Sequence, residues 1–313
     1  MRKISVIGAG KTGATTAQRL AERNYADIVL FDVIEGLAEG EALDLLESGP
    51  IVGFDSNVTG VTIKENQGYE QLADSSIVVM TGGIARKPGM SRDDLVKTNQ
   101  KIMHGWAEAI QQYAPDSILI VLSNPVDAIT QYAAHVTQFP RNRVIGQAGI
   151  LDSARFRTFI AMELGVSVQN IDAYVLGSHG DDMVPLPRYT TVAGIPLTEL
   201  LPADRVEALV KRTRNGGGEI VNLLKTGSAF YAPSAALAEM VDAIVYDKKK
   251  ILPCTVRLEG EYGLNDIFAG VPVKLGAGGA EEIVKWKLVD EELAALHKSA
   301  NSVREVLKVM GIG

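Results

Sequence analysis

Short apolar runs alternate with amphipathic stretches through the first half of the chain. Residues 3–7 (KISVI), 28–31 (IVLF), 76–80 (SIVVM), 118–122 (ILIVL) and 143–145 (RVI) are rich in Ile and Val and bounded by Gly, Asp or Pro, which predicts strands. Runs without polar alternation suit strands covered on both faces, as in a parallel sheet. Helical patterns lie near 13–23, 36–47, 92–113 and 126–137. Strand–helix alternation implies right-handed crossovers and a doubly wound sheet.

Beyond about residue 146 the pattern changes. A helix is expected at 153–165, then shorter strand-like pieces, long helices near 204–225 and 233–246, and strands at 250–259 and 267–275. The last helix is placed at about 281–310, because Val289, Leu293, Leu296, Ala300, Val303, Leu307 and Met310 recur at spacings of four and three. The predicted class is α/β. Residues 1–146 form a doubly wound parallel sheet of the Rossmann type, and 147–313 form a mixed α+β domain. No repeat or low-complexity linker separates them, so the halves are expected to pack closely. Gly216, Gly217 and Gly218 interrupt a helical pattern at about 1 kcal/mol each relative to alanine. They mark either a close approach of backbone or ligand, or a helix break or tight helix contact.

Composition narrows the function classes. The 313 residues are enough for a substantial core, and a hydrophobic share of 46% with 22% charged is ordinary for a globular chain. A net charge of −7 argues against general nucleic-acid binding. It leaves room for a small anion held by local arginines. Cys254 is the only cysteine, so neither an internal disulfide nor a multi-cysteine metal site is expected. No apolar run reaches the roughly 18 residues of a membrane span. The expectation is a cytoplasmic protein with no membrane, nucleic-acid or metal partner.

Gly8-Ala9-Gly10-Lys11-Thr12-Gly13 lies between the first predicted strand and the first helix. There, three glycines permit a tight turn, a backbone approach to a pyrophosphate and close helix–strand packing. The helix start adds unpaired N–H groups and partial positive charge. Asp32 follows Gly13 by nineteen residues, at the end of the second run. Its carboxylate can accept from ribose hydroxyls and would repel a 2′-phosphate, which favours NAD over NADP. Thr81-Gly82-Gly83 and Leu122-Ser123-Asn124-Pro125 follow later strands at the same sheet edge, where such ligands bind.

Three further segments carry unusual polar residues: Arg86-Lys87-Pro88-Gly89-Met90-Ser91-Arg92-Asp93-Asp94, Ile150-Leu151-Asp152-Ser153-Ala154-Arg155 and Gly177-Ser178-His179-Gly180-Asp181. The first has the glycine and proline flanks of a loop over a site. In the second, Asp152 is read as a helix N-cap, with Arg155 on the same face. His179, between small residues at a strand end, titrates near neutrality as a reversible proton carrier must. The other histidines, His104, His135 and His297, fall in helical patterns and are read as structural.

The segments GAGKTG, TGGIARKPGMSRDDL, SNPVD, GILDSARFR, GSHGDDMVP and TGSAFYAPSAA, in this order and at these separations, resemble the lactate/malate dehydrogenase family. Within it they are most similar to the lactate-dehydrogenase-like malate branch. The resemblance implies NAD as cofactor and reversible oxidation of (S)-malate. It implies that His179 accepts the hydroxyl proton, Asp152 orients it, and Arg155 grips the carboxylate beside the reacting carbon. Arg92 polarises the carbonyl, and Asn124 bonds the substrate oxygen. Asn99 and the Leu122–Asn124 backbone face the cofactor, as does the glycine loop. Arg86 stands where many lactate enzymes carry glutamine, so it selects a second carboxylate. Ala229 stands where they carry a larger threonine. The resemblance also implies a dimer or tetramer, with helix 36–47 in subunit packing. Lactate dehydrogenase is the nearest rival. A non-catalytic NAD sensor and an NAD-dependent glycoside hydrolase are more distant.

Overall fold

In a computed structural model, which describes residues 2–65, 67–84 and 89–312, the apolar runs of the first half become parallel strands. The elements in order are β1 (Arg2–Ile7), α1 (Lys11–Ala21), β2 (Ala26–Asp32), α2 (Leu37–Val52), β3 (Val58–Thr62), β4 (Ser75–Met80), α3 (Arg92–Tyr113), β5 (Ile118–Val121), α4 (Val126–Thr137) and β6 (Val144–Gly146). There follow α5 (Gly149–Leu164) and the two-residue strands β7 (Ile171–Asp172), β8 (Val175–Leu176), β9 (Val184–Pro185), β10 (Thr191–Val192) and β11 (Ile195–Pro196). The chain ends with α6 (Leu197–Leu200), α7 (Ala203–Leu224), α8 (Tyr231–Val245), β12 (Lys250–Glu259), β13 (Asn265–Gly276), β14 (Gly279–Ile283) and α9 (Asp290–Val309).

Strands β3-β2-β1-β4-β5-β6 lie side by side in that order, all parallel. The winding reverses between β1 and β4, and the crevice at their C-terminal ends is where a doubly wound sheet binds ligand. Ile4, Val6, Ile28, Leu30, Val78, Val79, Leu119 and Ile120 are fully buried, as expected for strands with helices on both faces. Each such side chain contributes about 1.5–3 kcal/mol of burial. A second, smaller core joins Phe156 and Ile160 of α5 to Ile171, Val175, Leu197 and Leu209.

The sheet does not stop at residue 146. β12 adds antiparallel to β6 through the pair Thr255↔Gly146, and β13 and β14 follow, making nine strands among the described residues. The two halves therefore share one sheet.

Several elements differ from expectation. β3 (VTGVT) carries no continuous apolar run, because it is a half-exposed edge strand. Its Gly60 packs under α2, and a Cβ there would lie 2.2 Å from the Ala38 carbonyl oxygen. The last helix begins at Asp290, not near 281; the stretch before it contains β14, and Val289 is an exposed N-cap. The buried face of that helix (Leu296, Ala300, Val303, Leu307) follows the predicted spacing. α5 starts four residues earlier than expected, so Asp152 sits inside the first turn and is not the N-cap. α7 runs unbroken through Gly216–Gly218.

Candidate active site

The glycine loop joins β1 to α1 at the crevice. Gly8 has φ +97°, a left-handed conformation that glycine adopts at no steric cost. A Cβ on Gly13 would lie 1.7 Å from the Gly8 carbonyl oxygen, so the helix can pack on the turn only with glycine there. Gly10 is the N-cap of α1 with no side-chain cap, and nothing lies within 4 Å of where its Cβ would be. Open helix N–H groups facing free space suit an anion such as a pyrophosphate. Asp32 ends β2; its Oδ2 accepts from the Ala9 amide at 2.7 Å and its Oδ1 from the Ile34 amide at 2.9 Å. Its carboxylate thus ties the loop to the strand while lining the same cleft as Gly8, Gly10, Lys11, Thr12 and Gly13. That cleft has a volume of ≈ 490 Å³ and shares Thr12, Thr81, Gly83, Ile84 and Ser228 with a second cavity of ≈ 500 Å³. The shared residues join the two along one trough at the crevice. These residues fit NAD.

The wall between them is braced by Asn99 of α3. Its Oδ1 accepts from the Ile84 amide at 2.8 Å, and its Nδ2 donates to the Asn124 carbonyl at 2.7 Å. The Ser123 hydroxyl donates to the Gly82 carbonyl, and the Leu122 amide donates to Met80. The loops after β4 and β5 are thereby locked together. The exposed Asn124 side chain remains at the cavity mouth.

At the far end stands a cluster of ionisable groups. Asp152, 1% exposed, meets His179 Nδ1 through Oδ2 at 2.9 Å and Arg155 Nη1 through Oδ1 at 3.2 Å. Engaged at Nδ1, the imidazole has Nε2 left for chemistry. About a fifth of its side chain is exposed (19%), and it lines the cavity. Burial works against the imidazolium, but the charge and hydrogen bond of Asp152 outweigh it, helped by Asp127 and opposed by Arg155. The net direction is a pKa above the usual 6.5. Arg155 is nearly buried, and its Nε has no partner among the described residues. Its space comes from α7. A Cβ on Gly216 would come 3.0 Å from Arg155 Cδ, and one on Gly217 would come 3.5 Å from Nη2.

The family model described as the lactate/malate dehydrogenase NAD binding domain matches residues 2–146, and the one for the family's alpha/beta C-terminal domain matches 150–310. The chain belongs to the lactate/malate dehydrogenase family. A "Malate dehydrogenase" from Bacillus israeli is 58% identical over 311 residues, covering 99% of this chain and 98% of that relative. The solved malate dehydrogenase of Picrophilus torridus in its apo form superposes with TM-score 0.96 at 48% identity, over 98% of this chain and 97% of that one. A lactate dehydrogenase from Cryptosporidium parvum, solved with lactic acid and NAD, superposes with TM-score 0.94 at 36% identity, over 100% and 98%. Fold alone therefore does not separate the two substrates within this family.

For this family member the structure brings His179, Asp152, Arg155, Asn99, Leu122, Ser123 and Asn124 to one cavity, or to its immediate wall in the case of Asp152. Arg92 is elsewhere: it is the exposed first residue of α3 and does not line the cavity. Arg86 lies outside the described residues. Among those described, no three His, Cys, Asp or Glu side chains gather as a metal site would require. Sequence reasoning missed the residues behind His179. The amides of Gly177, Ser178 and His179 donate in turn to the Gly270 carbonyl (2.8 Å), Ser299 Oγ (2.7 Å) and Asp127 Oδ2 (2.9 Å). β13, α9 and α4 thus each hold one residue of the loop. Asp127 was visible only as the last letter of SNPVD, and Ser299 only as a polar residue on the otherwise apolar face of α9.

Proposed function

We propose that this enzyme interconverts (S)-malate and oxaloacetate with NAD. The observation that carries the reading is the His179–Asp152–Arg155 cluster at the end of a trough that begins at the dinucleotide loop. NAD, when bound, supplies the hydride acceptor. His179 Nε2 takes the hydroxyl proton of malate, and Asp152 holds the ring and stabilises the imidazolium. Arg155, whose fork faces the cavity beside Gly217, binds the carboxylate next to the reacting carbon. Asn124 bonds the substrate oxygen. Arg92, at the start of α3, moves to the cavity and polarises the carbonyl. Arg86 neutralises the second carboxylate, which would otherwise be buried unpaired at a cost of several kcal/mol.

The deciding assay is NADH oxidation with oxaloacetate against pyruvate. Wild type should strongly prefer oxaloacetate. Arg86→Gln should lower that preference on the order of 10²–10³-fold, the scale of losing a buried charge partner. An unchanged ratio would refute the role of Arg86, and a wild-type preference for pyruvate would favour the lactate reading.

Gly216 gives a second, subtler test. Alanine there pushes on Arg155 Cδ, the middle of a flexible side chain, so Arg155 shifts by a few tenths of an ångström. KM for oxaloacetate should rise about tenfold with NADH affinity unchanged, since a misplaced fork weakens both bonds to the carboxylate. An unaltered KM would mean that the glycine serves only helix packing.

Self-association fits this reading. α2 buries only Ala38, Ala42 and Gly49 and leaves Leu43, Leu46, Ile51 and Val52 exposed, apolar side chains suited to cover by a second copy. We assign the enzyme to a homodimer or homotetramer, in the cytoplasm and in the tricarboxylic acid cycle. No helix among the described residues is long and apolar enough to cross a membrane.

A further inference from the structure

Asp127 is 4% exposed in the first turn of α4, and both its oxygens are spoken for. Oδ2 accepts from the His179 amide at 2.9 Å, and Oδ1 accepts from the Thr255 hydroxyl at 2.7 Å. Both of these partners donate, so a carboxylate, which only accepts, satisfies them together. An asparagine of the same shape could accept from the His179 amide but would leave a buried N–H and the Thr255 hydroxyl hydrogen short of acceptors. The acid that makes both bonds is also held against the main chain of His179. The group nearby that gains a positive charge in turnover is the His179 ring.

Among the described residues, the charged groups that act on that ring come from two helices. α5 contributes Asp152 and Arg155, and α4 contributes Asp127. β12 and α9 contribute the neutral Thr255 and Ser299. On its own loop, Asp182 is turned to Ser302 and Lys298, and Asp181 is exposed. Asp152 and Arg155 act on the ring in opposite senses, and Asp127 adds to the side of Asp152.

We propose that Asp127 is a second positioning carboxylate for proton transfer. It clamps the main chain of His179 to α4 and β12, and its charge favours the imidazolium. The inference rests on the reading of His179 as the proton carrier. Burial leaves the Asp127 carboxyl above its ordinary range; the Thr255 hydroxyl, the His179 amide and the His179 charge act in the opposite sense, toward ionisation.

The test compares wild type with Asp127→Asn, Asp127→Ser, Ser299→Ala and His179→Asn. It reads the pH dependence of kcat/KM for oxaloacetate reduction, with NADH binding and thermal melting as checks on folding. Reduction needs the imidazolium, so kcat/KM falls as pH rises through its pKa. Asp127→Asn should move that limb down by about one pH unit, the lower end of what a nearby opposite charge does. Asp127→Ser removes the same charge by another route, so either folded variant suffices. Ser299→Ala loosens the same loop without touching charge, so it should lower kcat and leave the limb in place. A limb that stays put in the folded Asp127 variants overturns the inference. So does an equal shift in Ser299→Ala, which would make Asp127 one structural clamp among three. Near-normal turnover in His179→Asn overturns the proton-carrier reading and the inference with it. Loss of turnover there with an unmoved limb in Asp127→Asn overturns the inference alone.

Discussion

His179→Asn should lower kcat for malate oxidation by about 10²–10⁴-fold, the usual contribution of a positioned acid or base. NADH affinity should be unchanged, because the glycine loop and Asp32 lie at the other end of the trough. Asparagine keeps a polar group near Asp152 but cannot accept and return a proton. The two directions of reaction should also separate with pH. The His179 pKa is raised above 6.5, so the imidazolium required for oxaloacetate reduction persists above that value and is lost as pH rises through the raised pKa. Malate oxidation needs the neutral ring and gains over the same interval. Steady-state rates across pH, with NADH binding followed by fluorescence, check both parts. A variant retaining wild-type kcat would remove His179 from the chemistry.

Arg155→Gln comes second in expected size. Losing the cationic fork should cost about 3–4 kcal/mol of transition-state binding, on the order of 10²–10³-fold in kcat/KM. The change has a second signature. Arg155 lowers the proton affinity of His179, so its removal should raise the imidazole pKa further and move the alkaline limb of oxaloacetate reduction upward. The Asp127 variants are expected to move the same limb downward. Arg155→Lys should recover only part of the rate, since an ammonium offers a point charge and not two parallel bonds. Full recovery with lysine would show that charge alone matters and that fork geometry does not.

Much of this architecture was legible because it rests on local chemistry. The strands at 76–80 and 118–122 are buried on both faces and so read as unbroken apolar runs. β3 escaped because an edge strand half in solvent needs no such run, and its central glycine answers to α2 rather than to strand propensity. The start of α9 was set near 281 although its apolar spacing begins only at Val289; residues Gly279–Ile283 form β14, and Val289 caps the helix from outside. Asp152 looked like a cap because caps and first-turn carboxylates share a residue type. Only its partners, His179 and Arg155, tell the two apart. The three glycines of α7 posed a question that the sequence stated but did not answer; two of them make room for Arg155, and nothing lies within 4 Å of a Cβ on Gly218. Asp127 and Ser299 depend on contacts more than fifty and one hundred and twenty residues away, respectively, and no local pattern encodes them.

The strand pair that sews Gly146 to Thr255 bears on any attempt to build chimeras. A nucleotide-binding half excised at residue 146 would leave the outer side of β6 bare, inviting another strand to add there. It would also lose Thr255, and with it one of the two donors to Asp127. Grafts that swap substrate specificity are better made within the loops that reach the trough than at the seam between the halves.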